Sequence, residues 1–314
     1  GIVFVLVGLL VRAVGTDWIN FIFPPAAMGA IVAVIGLELM PVAAGMAGLT
    51  AKEPDSNAII VSVLTLAITL FAQVAFRGFL QIIPILIGIV SGYVIALAFG
   101  IVDLSIVEKA PWFSLPTIYT PEFNFNAICI ILPAALVVIA EHVGHLIVTG
   151  NIVGADLTKD PGLDRSIIGN GLSTILSGFF GSTPNTTYGE NIGVLAMTKV
   201  FSTWVIGGAA VFAILLSCFG KLAAAIQSIP APVMGGVSML LFGVIAASGI
   251  RVLVESKIDY NNPVNLMLTA VVLGVGVSTA SITVGTVTLS GMSLATVAAI
   301  LLSVCFNFIK KIHG

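Results

Sequence analysis

Two acidic residues and a histidine stand out because they sit where charge is costly. Within the apolar run Ile130 to Val148 the chain reads Ala140-Glu141-His142-Val143-Gly144-His145. Read as a helix, this places Glu141 about fifteen residues, or roughly 22 Å, from Asn126, near the middle of a bilayer. Glu141 and His145 are i,i+4 neighbours on one face, and Gly144 is expected to let another backbone come close. An ionisable residue at that depth costs on the order of 3 kcal/mol and usually faces a cavity. The plainer alternative is a carboxylate–imidazole pair that only knits helices together. His142 points about 100° away from Glu141 and reads as a packed or loop-facing side chain. The order Glu-His-x-x-His matches neither orientation of the zinc-hydrolase spacing and no third ligand is evident, so no metal site is expected.

The second carboxylate lies in Thr183-Pro184-Asn185-Thr186-Thr187-Tyr188-Gly189-Glu190-Asn191-Ile192-Gly193, a polar island in a chain otherwise built for lipid. In a bilayer such backbone is tolerated only where it faces protein or a watery cavity. Pro184 bars regular helix and Thr183, Thr186 and Thr187 are β-branched, so the stretch should run extended before a short helix starts near Gly189. Gly189 lacks a side chain, so a ligand can reach backbone N–H groups at that helix start, where the dipole favours electron-rich oxygens. Glu190 points into the same region. The alternative is that Asn185, Thr186 and Glu190 only cap the helix. Side-chain acceptors beside backbone donors suit a flat ligand with alternating N–H and C=O groups.

These residues need a membrane scaffold. Of 314 residues, 58% are hydrophobic and 8% charged, with a mean hydropathy of +1.17, against about 25% charged in soluble domains. The chain is therefore expected to be an all-α polytopic membrane protein. A net charge of −2 without a basic cluster argues against nucleic acid, which needs concentrated Lys and Arg. Cys129, Cys218 and Cys305 each sit in an apolar run and read as packing residues. No cofactor is indicated.

Apolar runs that can span fall near 1–14, 22–49, 58–76, 79–100, 126–150, 201–220, 231–249, 263–281 and 290–309, with shorter pieces at 166–181 and 188–199 flanking the island. Counting loops back from the C-terminus puts nine Lys and Arg on one side and only Lys52, Lys109 and Lys221 on the other, so the C-terminus is expected to be cytoplasmic. Treating 188–199 as its own segment keeps that asymmetry in phase. Glu38, about seventeen residues along its helix, should lie near the outer interface, with Pro41 ending the helix. Gln73, Asn170 and Asn265 read as interhelical hydrogen-bonding residues.

Phe23-Pro24-x-x-x-Met28-Gly29-Ala30-Ile31 recurs as Ile229-Pro230-x-x-x-Met234-Gly235-Gly236-Val237. An odd number of segments separates the copies, so they face opposite ways, as in the inverted repeats of secondary transporters. One segment precedes Pro24 where four precede Pro230 in its copy, so about three N-terminal helices are expected to be missing.

Glu190-Asn191-Ile192-Gly193-Val194-Leu195-Ala196-Met197-Thr198-Lys199 resembles the signature of the nucleobase–ascorbate transporter family. With Glu first in that string, and with Ala140 to His145 upstream, the chain is most similar to the family's bacterial uracil-permease branch. The likeness extends through Phe23 to Gly29 and Gly178 to Tyr188. It implies a fold of fourteen segments in two inverted repeats of seven, of which about eleven are present. A core domain (1–14 and 126–220) would hold the substrate and a gate domain (22–100 and 231–309) would face it. By resemblance Glu141, Glu190 and Gly189 bind the base, His145 and Glu141 couple the proton, Tyr188 lines the pocket and Phe242 closes over it. Phe242 departs from the Tyr of uracil permeases, which puts a hydroxyl contact there in question. The implied activity is proton-coupled uracil import across a bacterial cytoplasmic (inner) membrane by a homodimer joined through the gate domain. Xanthine or urate transport, a non-transporting remnant, and an anion exchanger or channel of the same fold are the alternatives.

Overall fold

An apolar stretch of about 20 residues in a bilayer can satisfy its backbone only within its own helix, and the chain folds accordingly. The computed structural model describes residues 1–284 and 287–313, with a few side chains, Cys129 and Glu190 among them, outside the described set. In chain order the helices are α1 (Ile2–Val14), α2 (Asp17–Ile22), α3 (Pro25–Met46), α4 (Ser56–Ala75), α5 (Pro84–Ala98), α6 (Ser105–Lys109) and α7 (Phe125–Val153). After these come α8 (Leu163–Phe179), α9 (Gly189–Thr198), α10 (Thr203–Ser217), α11 (Gly220–Gln227), α12 (Ala231–Glu255), α13 (Pro263–Val277) and α14 (Gly291–His313). Strands β1 (Ser281–Val284) and β2 (Val287–Ser290) form a two-stranded antiparallel sheet pairing Ser281 with Ser290 and Thr283 with Thr288.

Among the described residues, α3, α4, α12, Ala134–Val153 of α7 and Gly291–Ile312 of α14 are each long and apolar enough to cross a membrane. Helices α10 and α11 make a further candidate span bent by 87°, and α1, α5 and α13 are shorter apolar helices. Apart from the two short strands, this is a helical, multi-pass architecture.

Local chemistry sets the ends of these elements. Asp55, Asn124 and Asn262 cap α4, α7 and α13 by accepting from Asn57 N–H, Ala127 N–H and Val264 N–H at 2.9, 3.1 and 3.0 Å. Pro84 and Pro263 occupy first-turn positions that have no helical N–H bond to lose. Gly154 ends α7 in the left-handed region, at φ 78°.

Two expectations are corrected. Helix α3 runs through Pro41 to Met46 rather than ending there, because membrane helices tolerate an internal proline where neighbouring groups re-satisfy the freed carbonyl. Among the described residues Asn265 bonds locally, to the Asp259 carbonyl, and Gln73 is exposed with no side-chain hydrogen bond; only Asn170 meets another helix.

The helices pack into two compact units. The first comprises Gly1–Glu38, Ile118–Gly193 and Val244–Gly314. Its core gathers Phe4 and Val11 of α1, Ile31 and Val34 of α3, Val137 of α7, Ile167 of α8, Leu268 of α13 and Ala295 of α14. Helix α1 packs on α8, and Arg12 Nε donates to Asp164 Oδ2 at 2.8 Å. Here α3 approaches α12 so closely that a Cβ on Gly29 would stand 2.9 Å from the Gly249 carbonyl oxygen. Glu38 Oε2 accepts the Met292 N–H at 2.7 Å, a carboxylate at the start of α14.

The second unit comprises Leu39–Thr117 and Val194–Gly243. Helices α4 and α5 meet where Gly88 and Gly92 lie against Thr69 and Thr65, and Gly235 of α12 lies against the Ala47 backbone. Lys221 Nζ donates to the Val107 and Glu108 carbonyls at 2.7 and 2.8 Å, tying α11 to α6.

Candidate functional site

Glu141 is the eighth residue of the twenty-residue apolar window Ala134–Val153, so the helix carries it well inside the span. One turn further on, His145 lies on the same face, and both side chains are half-buried. Residues 182–188 carry no regular secondary structure, and α9 starts at Gly189 as expected.

The polar stretch is anchored on two sides. Towards α8, the Asn185 N–H donates to Thr174 Oγ1 at 3.2 Å, Asn185 Nδ2 donates to Ser173 Oγ at 3.1 Å, and Ser177 Oγ donates to the Thr183 carbonyl at 2.7 Å. Towards α7, Thr186 Oγ1 donates to Glu141 Oε2 at 3.2 Å, and His145 Nδ1 shares a 2.9 Å hydrogen bond with Thr187 Oγ1. The side chains of Asn185 and Thr186 are thus spent on neighbouring helices rather than on capping α9. Serine and threonine on α8 were not singled out in the sequence, although Ser173 and Ser177 share a helix face at i,i+4 spacing.

Gly189 brings the start of α9 against the imidazole. A Cβ there would stand 3.1 Å from His145 Nε2, tighter than ordinary van der Waals contact of about 3.5–4.0 Å. The ring therefore lies across the first residue of the helix, where unpaired backbone N–H groups and the positive end of the dipole face outward. Glu190 is the second residue of α9, and its side chain lies outside the described residues. Tyr188 is 67% exposed. Phe242, half-buried on α12, belongs to the second unit, whereas Glu141, His145, Tyr188 and Gly189 belong to the first.

His142 is a packing residue. It is buried on the side of α7 that meets α8, with Nε2 2.8 Å from Ser166 Oγ and Nδ1 3.5 Å from Asn170 Nδ2. An amide nitrogen only donates, so Nδ1 accepts and Nε2 carries the proton that Ser166 receives. No described atom lies within 4 Å of where a Gly144 Cβ would stand, so the close backbone approach expected there does not occur. A separate hollow of about 210 Å³ lies at the far end of α7, lined by Ile147, Asn151, Asp156 and Thr158 among others. There Thr158 and Lys159 hold the exposed Asp156 carboxyl below the usual carboxylate range.

A carboxylate and an imidazole in mid-span, held against a broken stretch that opens into a short helix, define a multi-pass membrane transport protein. The comparisons with known proteins make this specific. The Xan_ur_permease model, described as Permease family, matches residues 1–285. The uracil permease of Escherichia coli (strain K12) is 65% identical over 316 residues, covering 100% of this chain and 74% of that protein. Uracil permeases of Paenibacillus larvae and Bacillus subtilis (strain 168) are 64% and 45% identical over 318 and 326 residues, covering 99% of this chain and 76% and 74% of their own lengths. The chain belongs to this permease family, the nucleobase–ascorbate transporters.

Proposed function

We propose that the chain is a proton-coupled uracil importer of a bacterial cytoplasmic membrane. The observation that carries this reading is the placement of Glu141 and His145 on one face of α7, both hydrogen-bonded to the stretch that leads into α9. Uracil presents two N–H donors and two carbonyl acceptors on one flat edge-bonding ring. Glu141 and Glu190 accept its N–H groups, the backbone amide at Gly189 donates to a carbonyl, and Tyr188 lines the pocket. The similarity to proteins named uracil permease supports the choice of base.

Coupling follows from electrostatics. An unneutralised carboxylate in mid-span costs on the order of 3 kcal/mol, so a core carrying base and proton together moves past the gate more readily than the charged, empty one. Glu141 takes the proton with His145 beside it. Segments 1–14 and 126–220 act as the core and 22–100 with 231–309 as the gate, and two copies associate through the gate. The C-terminus faces the cytoplasm, in keeping with the distribution of Lys and Arg. The substrate crosses chemically unchanged, so the protein is no enzyme.

An inverted repeat is supported by contacts as well as by sequence. Within the first unit Gly29 lies against Leu253, and within the second Gly235 lies against Ala47. The offset that carries Gly29 onto Gly235 also carries Ala47 onto Leu253, so one contact is the repeat image of the other.

The test is uptake into proteoliposomes with an imposed pH gradient. Glu141→Gln is expected to abolish accumulation of uracil above equilibrium. Accumulation with unchanged proton dependence in that variant would refute the coupling role, and retained uracil binding in Glu190→Ala would refute its role as ligand.

A further inference from the structure

We infer that Thr186 and Thr187 are positioning residues, two adjacent hydroxyls that separately set the base-binding carboxylate and the coupling imidazole. This rests on the roles proposed above for Glu141 and His145. In a flat strand successive side chains face opposite ways, yet both hydroxyls reach one face of α7, Thr186 at Glu141 Oε2 and Thr187 at His145 Nδ1. The backbone of 182–188 is irregular at this point, and that irregularity is what brings consecutive residues to bear on i,i+4 partners.

The two contacts do different things. Thr186 donates to one carboxylate oxygen and so orients the plane in which Glu141 offers its remaining lone pairs to a ligand. Thr187 works on the ring. A hydroxyl both donates and accepts, so Thr187 can hold Nδ1 whether or not that nitrogen carries a proton. With Nδ1 engaged, Nε2 faces the start of α9, since it is the ring atom nearest the missing Cβ of Gly189, at 3.1 Å. Thr187 thereby selects which imidazole nitrogen faces the ligand end of the site and keeps it there as the ring gains or loses a proton.

The two hydroxyls are therefore separable by experiment. Valine keeps the shape of threonine and removes the hydroxyl, and serine keeps the hydroxyl. In proteoliposomes, Thr186→Val is expected to weaken uracil binding about tenfold, the size of one lost hydrogen bond to a charged group, with the ratio of proton-driven accumulation to uracil exchange unchanged. Thr187→Val is expected to keep binding and exchange within about twofold and to lower proton-driven accumulation about tenfold. Serine at each position restores the wild-type value, and Thr187→Ala shows the same split as Thr187→Val. Variants that behave like wild type, or that lose binding, exchange and accumulation together without rescue by serine, overturn the inference while wild type still binds uracil. A wild-type protein that does not bind uracil overturns the proposed function itself, and the inference with it.

Discussion

Gly189→Ala separates packing at the site from stability of the fold. The added Cβ would stand 3.1 Å from His145 Nε2 and 3.6 Å from Cε1. Restoring ordinary contact requires the ring to move by roughly 0.5 Å. The ring is not free to do so cheaply, because its Nδ1 is held 2.9 Å from Thr187 Oγ1, near the middle of the range for a good hydrogen bond. Tilting the ring off its rotamer costs about 0.5–1.5 kcal/mol, and stretching the Thr187 bond gives up part of a net contribution of about 1 kcal/mol. The ring shares the displacement between the two, for a total of about 1–2 kcal/mol. That strain is present before any ligand binds, so it counts against folding; set against the preference for alanine over glycine of up to about 1 kcal/mol in a helix, the net loss of stability is about 0–2 kcal/mol. The displaced imidazole is the coupling group, so the expected outcome is proton-driven accumulation lowered by roughly five- to thirtyfold, as for Thr187→Val, with a Tm within a few degrees of wild type. Wild-type accumulation at an unchanged Tm would refute the reasoning, as would a Tm lowered by much more, which would mean that the methyl meets the fold rather than the ring.

Other variants probe the scaffold. Gly235→Val places branched carbons against the Ala47 backbone, which cannot yield as a side chain can; a loss of about 1–3 kcal/mol is expected, read as a lower Tm. Glu38→Gln keeps an oxygen that can accept the Met292 N–H, so uptake and stability should stay near wild type, whereas Glu38→Ala should cost about 1–2 kcal/mol; loss of uptake in the Gln variant would give Glu38 a transport role instead. Lys221→Met removes the donor to two carbonyls of the α6 end and should speed proteolytic cleavage in the loop around Trp112. Arg12→Gln breaks an exposed ion pair with Asp164 and should change stability by less than about 1 kcal/mol.

The sequence by itself determined what depends on near neighbours. Burial of apolar side chains and the demand for internal backbone hydrogen bonds act along each segment, so the spans were legible from composition and period. The i,i+4 spacing of Glu141 and His145, the break at Pro184 and the start of α9 at Gly189 were legible for the same reason. Pro25, Pro84 and Pro263 each stand in a first helical turn, where a proline loses no helical bond, whereas at Pro41 the expected end does not occur and the helix continues. Tertiary structure decided what each polar group touches. Glu38 and Met292 are 254 positions apart, Thr187 and His145 are 42 apart, and nothing local pairs either couple. Thr186 and Thr187 read in the sequence as β-branched residues of an extended stretch, and only the irregular backbone folded along α7 makes them partners of the two functional side chains. A hydrogen bond is formed by whichever donor and acceptor the packed helices bring within about 3 Å, and that proximity is a property of the assembled segments, not of any one of them.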